Sequence, residues 1–218
     1  MIKGCIFDLD GTLIDTLYDL GNSTNIVLER HGYQTHALSE YKLFVGNGVY
    51  KLVERALPAN SKDIEQCYKE FQDEYRKHFL DHSDPYDGIL EMLEKLEEMH
   101  IAVSIVTNKP HDYATRLVEK RIHTRVECIY GEQMNIYPKK PDPTSVQLAL
   151  NDLSLKEDEV FYIGDSNVDI QTAKNANVKS IGVLWGFRSK EELEKEGATY
   201  IATTPQDIIK IIEKENEE

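Results

Sequence analysis

Four carboxylates follow two of the apolar runs in this sequence, and they could hold a metal ion. Asp8 and Asp10 stand where the first run ends, and Asp165 and Asp169 stand where a later run ends. Side chains alternate along a strand, so Asp8 and Asp10 can face one crevice if the chain continues nearly extended before Gly11 lets it turn. Four carboxylates packed together would not all stay ionised without a cation, and oxygen ligands suit Mg²⁺ better than zinc. The sequence therefore indicates a magnesium centre.

Polar and basic residues in two other segments could bind a phosphate group. Thr107 and Asn108 offer a hydroxyl and an amide, with backbone N–H groups, just before a predicted helix, which would form a phosphate cradle. Lys140 lies in a loop that its prolines hold in a defined shape, and it can pair with both Asp8 and a phosphoryl oxygen. Lys139 is its neighbour, and spacing alone does not separate the two. These groups predict a phosphorylated substrate.

Six short apolar runs alternate with helical patterns, which predicts an α/β fold with a doubly wound, Rossmann-like parallel sheet. In the strand order 3-2-1-4-5 the first strand is central, and ligands bind beyond the carboxyl ends of the strands where the order reverses. The carboxylates, the Thr-Asn pair and the lysine would then meet in one place. The predicted strands are Ile2–Phe7, Ile101–Val106, Val126–Tyr130, Val160–Ile163, Ser180–Leu184 and Tyr200–Ala202.

One part of the chain breaks this alternation and predicts a second, all-helical domain. Between the first two predicted strands, apolar residues recur at helical spacing in three or more segments, and no strand pattern occurs. We therefore expect a catalytic α/β core at residues 1–15 and 85–218 and a helical cap at residues 16–84, inserted after the first strand. Closure of this cap would exclude water and select the substrate.

Composition narrows the possible classes of protein. The 218 residues include 25 Lys and Arg against 39 Asp and Glu, and the formal charge of −14 disfavours a broad nucleic-acid or anionic-membrane surface. The first apolar run is too short for a signal peptide or a membrane span, so we expect a soluble cytoplasmic protein. Cys5, Cys67 and Cys128 lack paired spacing and are expected to be free thiols. The sequence does not distinguish a monomer from a homodimer.

Four stretches, in this order, resemble the signature motifs of the haloacid dehalogenase superfamily. They are DLDGTL from Asp8, TN from Thr107, KP from Lys140 and GDSNVD from Gly164. With the helical insertion after the first motif, the resemblance covers essentially the whole chain. It implies that the Asp8 carboxylate attacks phosphorus, while Asp10 acts as acid to the leaving oxygen and then as base to water.

The resemblance also implies the other roles in the site. Thr107 and Asn108 would bind the phosphoryl group, and Lys140 would neutralise charge in the transition state. The metal would clamp and polarise the phosphoryl group without generating the nucleophile. The residues that would hold Mg²⁺ are Asp8, Asp10 through its backbone carbonyl, Asp165, and Asp169 as a direct or indirect ligand.

Asp10 also separates the chemistries within the superfamily. Cleavage of a carbon–halogen bond needs no proton for the leaving group, whereas an alkoxide does, so phosphate esters or anhydrides are favoured. The segments Val45–Tyr50 and Leu184–Phe187 resemble those of phosphoglycolate phosphatases, which implies 2-phosphoglycolate as substrate. The expected substrate contacts in the first of these segments are Gly46, Asn47 and Gly48.

Other substrates and classes of protein stay open at this stage. Pyrophosphate, nucleotides and sugar phosphates are alternatives, whereas a β-phosphoglucomutase is disfavoured because its first motif usually continues with Val where this chain has Thr12. A signalling receiver that stores a phosphoryl group combines similar residues, but its acceptor does not usually lie on the first strand in a DxD pair. A scaffold on a retired enzyme fold would usually have lost the catalytic side chains. Gly46 and Gly48 could also simply break a helix.

Overall fold

Eight strands form two sheets in the computed structural model, which describes residues 1–217. The strands are β1 (Gly4–Phe7), β2 (Ile14–Asp15), β3 (Asp84–Pro85), β4 (Ala102–Pro110), β5 (Cys128–Glu132), β6 (Val160–Gly164), β7 (Lys179–Val183) and β8 (Tyr200–Ala202). The large sheet has the order β5-β4-β1-β6-β7-β8 and its strands pair in parallel, so β1 is central between β4 and β6. The doubly wound α/β fold predicted from the sequence is confirmed.

Helices flank the large sheet and also fill the segment between β2 and β3. Their bounds are α1 (Leu17–Arg30), α2 (Leu38–Phe44), α3 (Val49–Ala56), α4 (Ile64–His78), α5 (Ile89–Glu98), α6 (His111–Arg121), α7 (Thr144–Leu153), α8 (Asn167–Asn175), α9 (Lys190–Glu196) and α10 (Pro205–Glu217). Helices α1 to α4 follow one another between β2 and β3, and we call residues 16–83 the helical insert.

The central strands are buried on both faces of the sheet. In β1, Cys5 and Phe7 pack in one apolar cluster and Ile6 packs in the other, as the alternation of side chains along a strand requires. Helices α5, α6 and α10 contribute to the first cluster, and α7 and α8 contribute to the second. Continuous apolar strands are typical of parallel sheets covered by helices on both sides. The carboxyl end of β1 consequently lies in the middle of the sheet edge.

The second strand of the large sheet extends beyond its predicted end. β4 continues through Thr107, Asn108 and Lys109 to Pro110, whereas the apolar pattern predicted an end at Val106. Its pairing with β5 shifts register between Val106 and Pro110. The three polar residues therefore occupy an irregular strand end rather than a loop, because backbone pairing continues where the apolar side chains stop. The prediction that the strand ends at Val106 was wrong.

Two short strands that the sequence did not predict join the ends of the helical insert. β2 and β3 pair in antiparallel fashion, with Asp15 opposite Asp84. Close by, the buried carboxylate of Asp19 in α1 accepts hydrogen bonds from the N–H of His82 at 3.0 Å and from the hydroxyl of Ser83 at 2.7 Å. The two segments that connect the insert to the large sheet are thus hydrogen-bonded to each other.

Two simpler predictions concern cysteines and membrane spans. Cys5, Cys67 and Cys128 are free, as predicted, with the first two buried and the third half-buried. Across residues 1–217, every helix is too short or too polar to span a membrane.

Candidate active site

Asp8, the nucleophile that the sequence implies, lies just after β1 and is almost completely buried. Its backbone N–H donates to the carbonyl of Ile163 at 2.8 Å, which extends the contact between β1 and β6. Its Oδ1 atom accepts from the N–H of Leu9 at 2.7 Å and lies 3.0 Å from Lys140 Nζ. Among residues 1–217 no hydrogen-bond donor contacts its Oδ2 atom, and Asp8 lines a pocket. One carboxylate oxygen is therefore free to react.

Three buried carboxylates converge at this point. One oxygen from each of Asp8, Asp165 and Asp169 lies within 4.8 Å of the other two. Burial, reinforced by the charge of Asp169, raises the pKa of Asp8 to about 7, and burial with the charges of Asp169 and Asp8 raises the pKa of Asp165 to about 8. When all three are ionised, three negative charges meet the one positive charge of Lys140, which contacts Asp8 and Asp169. The remaining double negative charge fits a divalent cation.

The segment after β7 holds Asp165 in place. The Oδ1 atom of Asp165 accepts from the hydroxyl of Thr12 at 3.1 Å, and its Oδ2 atom accepts from the N–H of Phe187 at 2.8 Å. A Cβ built on Gly186 would lie 2.4 Å from the Cβ of Asp165, so glycine allows the close approach of this segment. Trp185 Nε1 donates to the carbonyl of Thr12 at 2.9 Å. Because a carboxylate oxygen accepts about two bonds, each oxygen of Asp165 retains room for a cation.

Lys140 and Asp169 form a buried ion pair beside Asp8. Lys140 Nζ lies 2.7 Å from Asp169 Oδ1 and 3.0 Å from the hydroxyl of Tyr162. Burial opposes the charged form of Lys140, but the charges of Asp169 and Asp8 outweigh burial and hold its pKa well above the usual range. Asp169 Oδ2 accepts from the N–H and the hydroxyl of Ser166, at 3.0 and 2.6 Å, at the start of α8. Both oxygens of Asp169 are thus engaged within the protein.

Thr107 and Asn108, which the sequence predicted to bind phosphate, both line the pocket. The amide of Asn108 is engaged with backbone groups: Oδ1 accepts from the N–H of Lys140 at 2.8 Å, and Nδ2 donates to the carbonyls of Lys140 at 3.1 Å and Gly46 at 3.2 Å. Thr107 Oγ1 accepts from the N–H of Lys109 at 3.2 Å, and this bond leaves its hydroxyl hydrogen unused. Asn108 therefore fixes the Lys140 segment and ties it to the helical insert.

The insert residues predicted to contact substrate divide into two groups. Gly46 and Gly48 line the pocket with φ angles of +114° and +86°, which glycine adopts without strain. Asn47 lies outside the pocket lining, with its Oδ1 atom accepting from Arg55 at 2.7 Å and its carbonyl accepting from Lys139 at 3.0 Å. The two neighbouring lysines therefore have different partners: Lys139 contacts the insert, and Lys140 is the lysine that reaches Asp8.

The pocket above Asp8 and Asp10 is narrow. Its cavity of about 30 Å³ has room for about two water molecules. The side chains that the insert contributes to its lining are apolar, namely Leu20, Val45, Val49 and Leu52. In this arrangement of sheet and insert, the site encloses little more than the reacting group.

A sequence profile of the haloacid dehalogenase-like hydrolases matches residues 5–183, a range that contains every buried carboxylate of the cluster. The chain belongs to this family. Three of the four motifs lie at the carboxyl ends of β1, β4 and β6, the fourth lies in the loop before α7, and the predicted resemblance is confirmed.

Relatives of this haloacid dehalogenase-like hydrolase are phosphatases. An N-acetylmuramic acid 6-phosphate phosphatase of Pseudomonas aeruginosa is 29% identical over 98% of this chain and 96% of its own. A phosphoglycolate phosphatase of Agrobacterium fabrum is 32% identical over 96% of this chain and 94% of its own. A solved structure from Lactobacillus delbrueckii subsp. bulgaricus, provisionally assigned as a phosphoglycolate phosphatase, superposes with a TM-score of 0.90 at 31% identity and covers 94% of this chain and 96% of its own. The hydrolase is a phosphatase.

The phosphatase carries one more buried basic residue, which the sequence did not single out. Lys109 Nζ lies 3.0 and 3.3 Å from the two carboxylate oxygens of Asp10 and donates to the hydroxyl of Tyr75 at 2.7 Å. Burial opposes the charge of Lys109, but Asp10 and Tyr75 hold its pKa above the usual range. Tyr75 belongs to α4, so this contact joins the helical insert to Asp10.

Proposed function

We propose that this phosphatase hydrolyses a small phosphate monoester by way of a phosphorylated Asp8. The observation that carries the proposal is the Oδ2 atom of Asp8, which has no hydrogen-bond donor in the described chain. It belongs to a side chain that lies beside Lys140 and is 10% exposed at the pocket. This oxygen is left with the task of contacting a ligand, because Leu9 and Lys140 hold the other oxygen of Asp8. Attack on a phosphoryl group by this oxygen is the task that the neighbouring groups support.

The proposed reaction has two steps. In the first, Asp8 Oδ2 forms a bond to phosphorus, the bond from phosphorus to the leaving oxygen breaks, and Asp10 gives its proton to that oxygen. In the second, Asp10 takes a proton from water, whose oxygen attacks phosphorus and releases inorganic phosphate and the Asp8 carboxylate. Lys140 offsets charge on the phosphoryl oxygens, and the unused hydroxyl hydrogen of Thr107 can donate to one of them.

The acidic cluster fits Mg²⁺. Asp8 and Asp165 are proposed to bind the ion directly, together with the backbone carbonyl of Asp10. Asp169 is proposed to act indirectly, because Lys140 and Ser166 already occupy its oxygens. When bound, the ion would offset the excess negative charge and polarise the phosphoryl group. Oxygen ligands of this kind suit Mg²⁺.

We further propose that residues 16–84 form a cap that closes on a core of residues 1–15 and 85–218. Support comes from contacts across the boundary, where Asn108 donates to Gly46 and Lys139 donates to Asn47. The pairing of β2 with β3 would be the hinge. Closure would exclude water during phosphoryl transfer and bring the insert side chains to the substrate.

The proposed substrate is 2-phosphoglycolate. Phosphoglycolate phosphatases are among the relatives that span nearly the whole chain, and the narrow cavity favours a compact leaving group over an amino-sugar phosphate. The apolar insert side of the pocket offers no charged side chain to a second carboxylate, so compact neutral esters are a second candidate class.

Phosphate release from a panel of substrates tests this proposal. The panel contains 2-phosphoglycolate, N-acetylmuramic acid 6-phosphate, ethyl phosphate, pyrophosphate, nucleotides and sugar phosphates, each with Mg²⁺ and with EDTA. We expect turnover with Mg²⁺, a preference for 2-phosphoglycolate, and loss of turnover with EDTA. A preference for another compound would change the substrate and keep the chemistry. A stable, stoichiometric phosphoprotein without turnover would instead support a receiver and refute the phosphatase proposal.

Mg²⁺ is expected to raise the Tm more near pH 8 than near pH 6. The pKa values of Asp8 and Asp165, about 7 and about 8, lie above the ordinary value of 3.8, so the folded protein binds protons that the unfolded chain has lost. Without metal, the stability that these protons provide therefore falls as the pH rises from about 4 to about 8. Mg²⁺ competes with the same protons and binds better once they have left. Thermal melts with Mg²⁺ and EDTA at both pH values measure this, and an Asp165→Asn variant should lose most of the Mg²⁺ effect. An equal Mg²⁺ shift at both pH values would contradict the assignment.

A further inference from the structure

Lys109 lies buried at the pocket, and its ammonium group contacts three oxygen atoms. Its side chain is fully buried, whereas the side chain of Asp10 is 14% exposed at the pocket. Nζ faces both oxygens of Asp10 and the hydroxyl of Tyr75, and it also lies 5.0 Å from the centre of the Tyr75 ring. A buried ammonium group is stable only when it is paired in this way. The pairing with both oxygens fixes the orientation of the Asp10 carboxylate.

Tyr75 itself is held rigidly. Its ring packs against Phe71 and Phe79 in the insert, at centroid distances of 5.4 and 6.0 Å, and against Tyr113 in α6, at 5.2 Å. Its hydroxyl reaches from the insert into the sheet edge, where Lys109 is its hydrogen-bond partner. The position of Lys109 therefore depends on the position of α4.

We propose that Lys109 is a positioning residue that holds the Asp10 carboxylate in the orientation needed for proton transfer to the leaving oxygen. The contact with Tyr75 makes this orientation depend on the docked insert. The inference rests on the proposed function, because it assigns Lys109 a role in the proton transfers of Asp10. Movement of the insert away from the sheet would remove the Tyr75 contact and leave Lys109 held by Asp10 alone. Proton transfer would then be efficient only when the site is closed.

Two small phosphoryl donors separate this role from general support of the fold. Ethyl phosphate releases ethoxide, which needs the proton of Asp10 as the phosphorus–oxygen bond breaks. Acetyl phosphate has the same number of carbon atoms and releases acetate, which leaves as the anion without a proton. A residue that acts through Asp10 should therefore matter for transfer from ethyl phosphate and much less for transfer from acetyl phosphate.

The test measures the rate of phosphoenzyme formation in single turnovers with Mg²⁺, using labelled donors and acid quench. Lys109→Met is expected to slow transfer from ethyl phosphate about 100-fold and transfer from acetyl phosphate less than about threefold. In an Asp10→Asn background the same Lys109→Met change should slow transfer from ethyl phosphate less than about threefold, since its route of action is already gone. The proposal would be overturned if Lys109→Met slowed transfer from both donors equally. It would also be overturned if the double variant were slowed by the product of the two single effects.

Tyr75→Phe provides a second variant that keeps the aromatic packing and the ion pair and removes only the hydroxyl. We expect transfer from ethyl phosphate to slow about tenfold, with transfer from acetyl phosphate and the KM values little changed. Lys109→Arg should restore part of the loss of Lys109→Met, because a cation again faces Asp10. If Tyr75→Phe accepted the phosphoryl group from ethyl phosphate at the wild-type rate, the proposed dependence of Asp10 on the docked insert would be wrong.

The outcomes also separate the inference from the proposed function. If the wild-type protein forms no phosphoenzyme from either donor, the proposed function fails and the inference fails with it. If the wild-type protein forms a phosphoenzyme that requires Asp8, and Lys109→Met affects both donors alike or neither, only the inference fails. Where a panel ester reacts faster than ethyl phosphate, it replaces ethyl phosphate in the comparison.

Discussion

Replacing Asp8 by Asn is expected to lower phosphate release by about 10⁴-fold or more and to abolish labelling of the protein by a radioactive donor. The amide has nearly the same shape as the carboxylate, but its oxygen is a poor nucleophile. The substitution also removes one of the three carboxyl groups of the cluster. Steady-state phosphate release and acid-quench labelling measure the two effects.

Loss of activity in Asp8→Asn should not come from unfolding. Burial and the charge of Asp169 raise the pKa of Asp8, which means that its ionised form is disfavoured in the folded protein without metal. Removing that charge is therefore expected to leave the Tm in EDTA unchanged or higher. Asp158→Asn is the matched control, because Asp158 is exposed before β6, at the sheet edge opposite the site, and the change should keep full activity. An Asp8→Asn protein that still becomes labelled would refute the nucleophile.

Lys140→Met should lower the rate of phosphoryl transfer by about 10³-fold and also lower the Tm in EDTA. The lysine contacts Asp8 and Asp169 within 3.0 Å, so its loss leaves three buried carboxylates without a cation. Breaking a buried ion pair by removing one partner costs about 3–5 kcal/mol. Mg²⁺ should recover part of the stability, because it supplies the missing positive charge, whereas activity should stay low.

Lys139→Met is the matched control for this lysine. The side chain of Lys139 is 42% exposed and its Nζ atom donates to the carbonyl of Asn47 in the insert, so we expect a change in turnover of less than about fivefold. Single-turnover rates and thermal melts with and without Mg²⁺ compare the two variants. If the two substitutions had similar effects on transfer, Lys140 would have no special role in the site.

The convergence of the site residues could be predicted from the pattern of buried parallel strands. Parallel strands buried on both faces give continuous apolar runs, and the polar residues that end them fall on one edge of the sheet. Asp8, Asp165 and Asp169 meet there because β1 and β6 are neighbours. Lys140 joins them through a loop whose order the prolines signalled, although spacing alone did not separate it from Lys139.

Other features depend on distant parts of the chain that no local pattern connects. Lys109 follows a polar pair, and a lysine in such a position usually extends into solvent. Its burial depends on Tyr75, which lies 34 positions away in sequence. The spacing of Phe71 and Tyr75 in α4, and of Phe79 directly after it, was a signal for a buried helix face, but it could not show which strand end that face would meet. The contact of Asn108 with the carbonyl of Gly46 depends on the docked insert in the same way.

The paired strands β2 and β3 also bear on how this fold diversifies. Asp15 and Asp84 stand opposite each other in an antiparallel pair, so their Cα atoms lie about 5 Å apart. The whole inserted segment therefore leaves the α/β part of the chain and returns to it at one point. A tight turn or a much longer segment could bridge the same gap without displacing β1 or its neighbours. Related proteins can therefore differ in the segment between Asp15 and Asp84 while the carboxylates that follow β1 and β6 keep their positions.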